Sequence, residues 1–138
     1  MAGGYAEAMH DGSADLYDRD FVAWTRAQVA ALRRLATLRG NEHLDFPDLI
    51  EEIADLGKSE RDTVRSHLRT LIEHCLKLQH SAAEEPRPAW ISTIGRTRAE
   101  LDDKLSASLR RDLRTQLPRL YAQARRILAR DLALFGEP

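Results

Sequence analysis

Between residues 49 and 79 apolar side chains recur every three or four positions, in the run LIEEIADLGKSERDTVRSHLRTLIEHCLKLQ. That spacing is the signature of amphipathic helices. Leu49, Ile50, Ile53, Ala54 and Leu56 gather on one side of a helix, and Asp48, Glu51, Glu52 and Asp55 on the other. Asp45 is placed to cap this helix, and Pro47 fits its first turn, where a missing N–H costs nothing. Gly57 is expected to end or kink it. A second helix then starts at Ser59, with Asp62 three residues on. Its stripe is Val64, Leu68, Leu71, Ile72, Cys75 and Leu78, and it runs to about His80.

The same pattern predicts helices on either side. Upstream, a helix runs from about Asp15 to Leu38 with a seam of Phe21, Trp24, Gln28, Ala31, Leu35 and Leu38, and stops at Arg39-Gly40-Asn41. Downstream, AAEEPRP reads as a loop, and Pro88 suits the first turn of a helix whose seam is Trp90, Ile94, Thr97, Leu101 and Leu105, with Arg98 at its edge. Ser106 or Ser108 caps a short helix to Gln116. Pro118 bends or restarts the chain into a last helix, which buries Leu117, Leu120, Tyr121, Ala124, Leu128, Leu132 and Phe135 and stops at Gly136. Strand signals are absent. The fold class is therefore all-α, an antiparallel bundle of five to six helices forming one domain over residues 15–136, preceded by a flexible tail over 1–14.

Length and composition bound the rest. At 138 residues, with 43% apolar and 31% charged residues, the chain is the size of one globular domain. It has no apolar run of the ~20 residues that span a bilayer, and its first fourteen residues lack the pattern of a signal peptide. The single Cys75 cannot form an internal disulfide, which fits a reducing compartment. The expected location is cytoplasmic, with no membrane association.

The net charge of −1 hides an uneven distribution. Residues 42–62 hold eight acids (Glu42, Asp45, Asp48, Glu51, Glu52, Asp55, Glu60, Asp62) against Lys58 and Arg61, a net of −6. Residues 96–131 hold ten bases (Arg96, Arg98, Lys104, Arg110, Arg111, Arg114, Arg119, Arg125, Arg126, Arg130) against five acids, a net of +5. Two such halves attract each other, within one chain or across a dimer. A basic surface for RNA is the alternative, weakened by the lack of stacking aromatics other than Tyr121.

Five segments in order carry a resemblance: LYDRDFVAW, DLIEEIADLG, SHLRTLIEHCLKLQ, the W-x3-I-x3-R of Trp90, Ile94 and Arg98, and the Y-x3-R of Tyr121 and Arg125. Together, over roughly residues 16–134, they resemble the bacterial domain of unknown function 29 family. Cys75 and Leu78 depart from it, standing where the family usually has leucine and tryptophan. The resemblance implies an all-helical fold and no established activity.

Three constellations carry candidate chemistry. The first is acidic: Asp48, Glu52 and Asp55 at i, i+4 and i+7, and Glu51 with Asp55. Paired carboxylates bind hard cations or transfer protons, yet these point away from the seam. Glu52 falls at its rim, where it is expected to pair with Arg98 and fix helix register. The second is a metal site built from His67 or His74 with Glu51 or Glu52. The two histidines stand about 10.5 Å apart along one helix, so a single ion cannot bridge them, and the Glu-x-x-His of di-iron bundles is missing. The third is Arg69-x4-His74, which is similar to the R-x4–6-H signature of HEPN ribonucleases. That likeness implies that Arg69 holds phosphate and His74 assists 2′-hydroxyl attack. On one helix the two lie about 140° apart, so they converge only across a dimer cleft.

Cys75, in the middle of its stripe, reads as a buried inert thiol. A single pocket lined by Glu51, Glu52, His74, Trp90 and Arg98 would unite the candidates. Without one, the sequence describes a small helical interaction or regulatory module, with a protein partner or a second copy as its target. It requires no cofactor. A HEPN-like ribonuclease and a metal-binding bundle are the alternatives.

Overall fold

The computed structural model describes residues 15–39 and 43–134. Every regular element among them is helical, as the periodicity requires: α1 (residues 15–19), α2 (Phe21–Arg39), α3 (Phe46–His80), α4 (Arg87–Lys104) and α5 (Ala107–Leu134). The expected tail, and the last-helix positions Phe135 and Gly136, lie outside the described residues. The chain forms two compact units. The first takes the described residues up to Arg61 together with Ser106–Ser108; the second takes Asp62–Leu105 and the described residues from Leu109 onward.

Three helix boundaries differ from the pattern. The first expected helix is interrupted at Asp20. Its Oδ1 accepts the Ala23 N–H at 3.0 Å and so caps α2, while its Oδ2 accepts the Ser108 N–H at 3.0 Å in the first turn of α5. One carboxylate thus serves two helix starts, a role that favours leaving the helix. Burial pushes the Asp20 carboxyl up, but hydrogen bonds from the Ala23 backbone, from Ser108 and from the Ser106 hydroxyl outweigh it and hold it below the ordinary value of 3.8.

The second difference is at Gly57. It neither ends nor kinks a helix, and Ser59 is not a cap: α3 is continuous over 35 residues. Glycine inside a helix costs about 1 kcal/mol relative to alanine. Here it is buried against α2, where a Cβ would collide with the Thr25 hydroxyl and lie 3.3 Å from the Thr25 Cβ. The glycine permits close approach. This crossing also moves the buried face of α2 from the expected Phe21–Trp24–Gln28 seam to Val22, Thr25 and Val29. The displaced aromatics pack on one another, Tyr17 edge-on to Trp24 at 4.9 Å and Phe21 5.6 Å from Trp24. Leu38, expected in the seam, is 82% exposed.

Third, Pro118 does not divide two helices but sits inside α5. Pro88 does lie in the first turn of α4, as expected. The preceding loop is tied down by Arg87, which donates to the carbonyls of Leu78 (2.8 Å) and Ser81 (3.2 Å) at the end of α3.

In the second unit the helices run up, down and up. His67 of α3 meets Glu100 of α4 at 3.5 Å, and Lys77 sits 5.8 Å from the Trp90 ring, so α4 is antiparallel to α3. Arg65 pairs with Asp112 near the start of α5, while Leu76 packs with Ala124 and Leu128, so α3 and α5 share a direction. Ile72 and Leu132 close that core.

Candidate functional site

The most distinctive surface of the second unit is a run of three depressions along α3 and α5. The first, about 450 Å³, is walled by Leu71, Ile72, Cys75, Leu76, Leu117, Pro118 and Tyr121, all apolar apart from the thiol and the phenol hydroxyl. Leu76 and Tyr121 also wall the second, about 860 Å³, which continues past His80, Arg125 and Leu128. Leu128 and Leu132 lead into the third, about 450 Å³, where Trp90, Pro86 and Lys77 stand.

Helix geometry explains the surface. The α5 positions buried in the core are Leu109, Leu113, Leu120, Ala124 and Leu128. Leu117 and Tyr121, expected beside them, are 46% and 44% exposed. Cys75 is exposed as well, not the buried thiol expected of its stripe, because Leu76 takes the core-facing place one position on. The stripe on α3 is wider than the core can cover, and the excess forms one wall of the groove. Arg114, Pro118, Tyr121 and Arg125 follow at intervals of four, three and four on one face of α5. Arg125 stacks 5.9 Å from the Tyr121 ring. Arg125 walls the second depression, and Arg114 falls one turn before Pro118 on the same helix face. All ten basic side chains of residues 96–131 are exposed, and Arg130 is the one with an ion-pair partner among the described residues, the adjacent Asp131.

A second uncovered stripe lies in the first unit. Leu49, Glu52, Leu56 and Glu60 fall at intervals of three, four and four on α3. Leu49 is 37% and Leu56 50% exposed. Asp45 Oδ1 accepts the Asp48 N–H at 3.2 Å, the predicted cap. The neighbouring Asp45 carboxylate, more than Glu51, raises the Asp48 carboxyl above its ordinary value.

Of the candidate residues, those in the second unit, His74, Trp90 and Arg98, do not line one pocket. Glu51 and Glu52 are exposed on the first unit. Arg98 is exposed on the second, so neither member of the expected Glu52–Arg98 pair is a desolvated group, and a carboxylate and a guanidinium that both keep their water gain little from pairing. His74 Nδ1 bonds the Thr70 carbonyl at 2.8 Å, a local helix contact. Arg69 Nε lies 3.7 Å from Glu73. Trp90 lines the third depression without His74 or Arg98. Among the described residues no three His, Cys, Asp or Glu side chains gather as a metal would need, so His67, His74, Glu51 and Glu52 form no such group.

The bidentate long-range pair of the second unit was hidden from the sequence. Arg65 grips Asp112 with Nε–Oδ2 at 2.8 Å and Nη2–Oδ1 at 2.6 Å, and Asp112 raises the Arg65 guanidinium against the opposing effect of burial. The signal available was an arginine interrupting the α3 stripe and an aspartate interrupting an arginine run.

The chain matches the family model described as Domain of unknown function DUF29 over residues 16–137. The chain belongs to the DUF29 family. No curated protein and no solved structure matches it. No described helix of this DUF29 chain is long and apolar enough to cross a membrane.

Proposed function

We propose that this DUF29 chain is a cytoplasmic interaction module that pairs with a second copy of itself. The observation that carries this reading is the apolar groove at Leu71, Cys75, Leu117 and Tyr121, open to solvent, with Arg125 walling the adjoining depression and Arg114 one turn before Pro118 on the same face of α5. Exposed apolar surface of this kind marks docking sites. The same chain carries a ligand of matching form: the exposed Leu49–Leu56 stripe of α3, interleaved and flanked by Glu52, Asp55 and Glu60. Leucines enter an apolar groove and carboxylates meet arginines at its rim. An amphipathic helix in a groove is a recurrent recognition mode, and complementary charge fixes its register. In a symmetric pair each copy gives its stripe and receives one. The lone exposed thiol of Cys75 supports a reducing location.

Charge reversal tests the reading. Glu52→Arg with Asp55→Arg makes the stripe basic, and Arg114→Glu with Arg125→Glu makes the rim acidic. In sedimentation equilibrium the parent chain is expected to dimerise and each double variant to remain monomeric. Mixing the two variants restores the dimer, because every contact in the mixed pair is again between opposite charges. A parent chain that stays monomeric at high concentration, or variants that dimerise as well alone as mixed, would contradict the proposal.

A further inference from the structure

A separate cavity of about 350 Å³ lies in the first unit, between α2 and the first half of α3, and its walls carry three arginines: Arg26, Arg33 and Arg61. The remaining walls are Thr25, Val29, Ala30 and Ala54. No carboxylate lines it, and none of the three arginines makes an ion pair among the described residues. This is notable in a segment whose net charge is −6 over residues 42–62: acids are plentiful, and none is directed to these walls.

Helix geometry puts the three arginines on the walls of one hollow. Arg26 and Arg33 are seven apart on α2, about two turns, and so share a face with Ala30 between them. Arg61 lies one turn beyond Gly57 on α3, and its Nη1 reaches back to within 3.7 Å of the place a Gly57 Cβ would occupy. The alanines at positions 30 and 54 keep the space between the guanidinium groups open. Arg26 and Arg33 are exposed and Arg61 is half-buried, so the three guanidinium groups reach solvent around the hollow and attract an anion to it. Guanidinium forks match the oxygen geometry of phosphate and hold it bidentately. The volume is at the lower end for small-molecule sites, which suits a compact anion in place of an extended chain.

We infer that this cavity binds a small phosphorylated ligand, with Arg26, Arg33 and Arg61 as its phosphate clamps. The inference is independent of the groove in the second unit.

The test uses the full chain and inorganic pyrophosphate as probe, titrated in thermal unfolding and in calorimetry against sodium chloride at equal ionic strength. Saturable stabilisation by pyrophosphate beyond that of the salt is expected. Arg33→Ala or Arg61→Ala weakens it by about tenfold or more, the loss of one charge-assisted hydrogen bond, while Arg130→Ala, far along α5, leaves it unchanged. Arg33→Lys and Arg61→Lys keep the charge and the fold but not the fork, so they weaken binding even where an alanine variant fails to fold. No saturable stabilisation, an effect equalled by chloride, equal binding of citrate, or pyrophosphate binding unaltered by all four substitutions would overturn the inference.

Discussion

The crossing of α2 and α3 at Gly57 makes a prediction whose sign depends on a second residue. Gly57→Ala removes the entropic cost of glycine from a helix interior, a gain of about 1 kcal/mol. Against this, the new methyl meets the Thr25 hydroxyl, which is buried and donates to the Val22 carbonyl at 2.7 Å, so it has little room to retreat. Overpacking of this kind costs about 1–3 kcal/mol. The net effect in the parent chain is a loss of up to about 2 kcal/mol. Removing the obstacle reverses it. In a Thr25→Ala background the hydroxyl is gone, the remaining Cβ contact at 3.3 Å is relieved by a shift of a few tenths of an ångström, and Gly57→Ala becomes stabilising by up to about 1 kcal/mol. Urea unfolding of the four proteins, read as a double-mutant cycle, measures this. Additive effects, or stabilisation by Gly57→Ala in the parent chain, would show that the helices do not approach at this glycine.

Other consequences follow from the same contacts. Arg65→Ala or Asp112→Ala leaves a largely buried charge without its bidentate partner and is expected to cost about 2 kcal/mol in denaturant unfolding, whereas Arg65→Met with Asp112→Leu comes close to neutral. The Asp20 carboxyl is held below 3.8, so its contribution is complete above that pH and disappears as pH falls through the lower folded value. The stability gap between the parent chain and Asp20→Asn, about 1 kcal/mol near neutrality for the one acceptor oxygen that an amide cannot supply, is therefore expected to close below pH 3.8, and a gap that widens on acidification would refute this. Leu128→Ala, at a buried core position, costs about 2–5 kcal/mol of monomer stability. Leu117→Ser, on the groove wall, leaves monomer stability within about 0.5 kcal/mol while weakening self-association in sedimentation.

Element type was legible in the sequence because the helix period is strong on every segment, and caps such as Asp45 and Pro88 act through local backbone groups. What failed to show were the places where tertiary contact overrides a local signal. Gly57 reads as a stop by propensity, yet a helix crossing requires its missing side chain. Asp20 reads as one more polar residue inside a helix, and only the Ser108 N–H, far along the chain, explains why the helix breaks there. The stripes around Leu71, Cys75, Leu117 and Tyr121 were visible as apolar positions, but periodicity cannot say how much of a wide stripe a neighbour covers. The surplus became the groove. The expected Glu52–Arg98 pair followed from rim positions on two separate helices, and rim geometry alone does not choose partners; by itself it does not single out Arg65 and Asp112, which do meet. The arginine cavity escaped notice because its members are split between two helices and each alone is an ordinary surface residue.

The central claim is that the groove between α3 and α5 is covered by a second copy. Cys75 is the sole thiol of the chain and lines that groove, so its alkylation rate by iodoacetamide reports coverage directly. Measured over a series of protein concentrations, the rate is predicted to fall in step with the dimer fraction and to stay at the monomer value in the Arg114→Glu/Arg125→Glu variant. A rate independent of concentration, above all in a sample that sedimentation shows to be dimeric, would place the contact elsewhere and contradict the account.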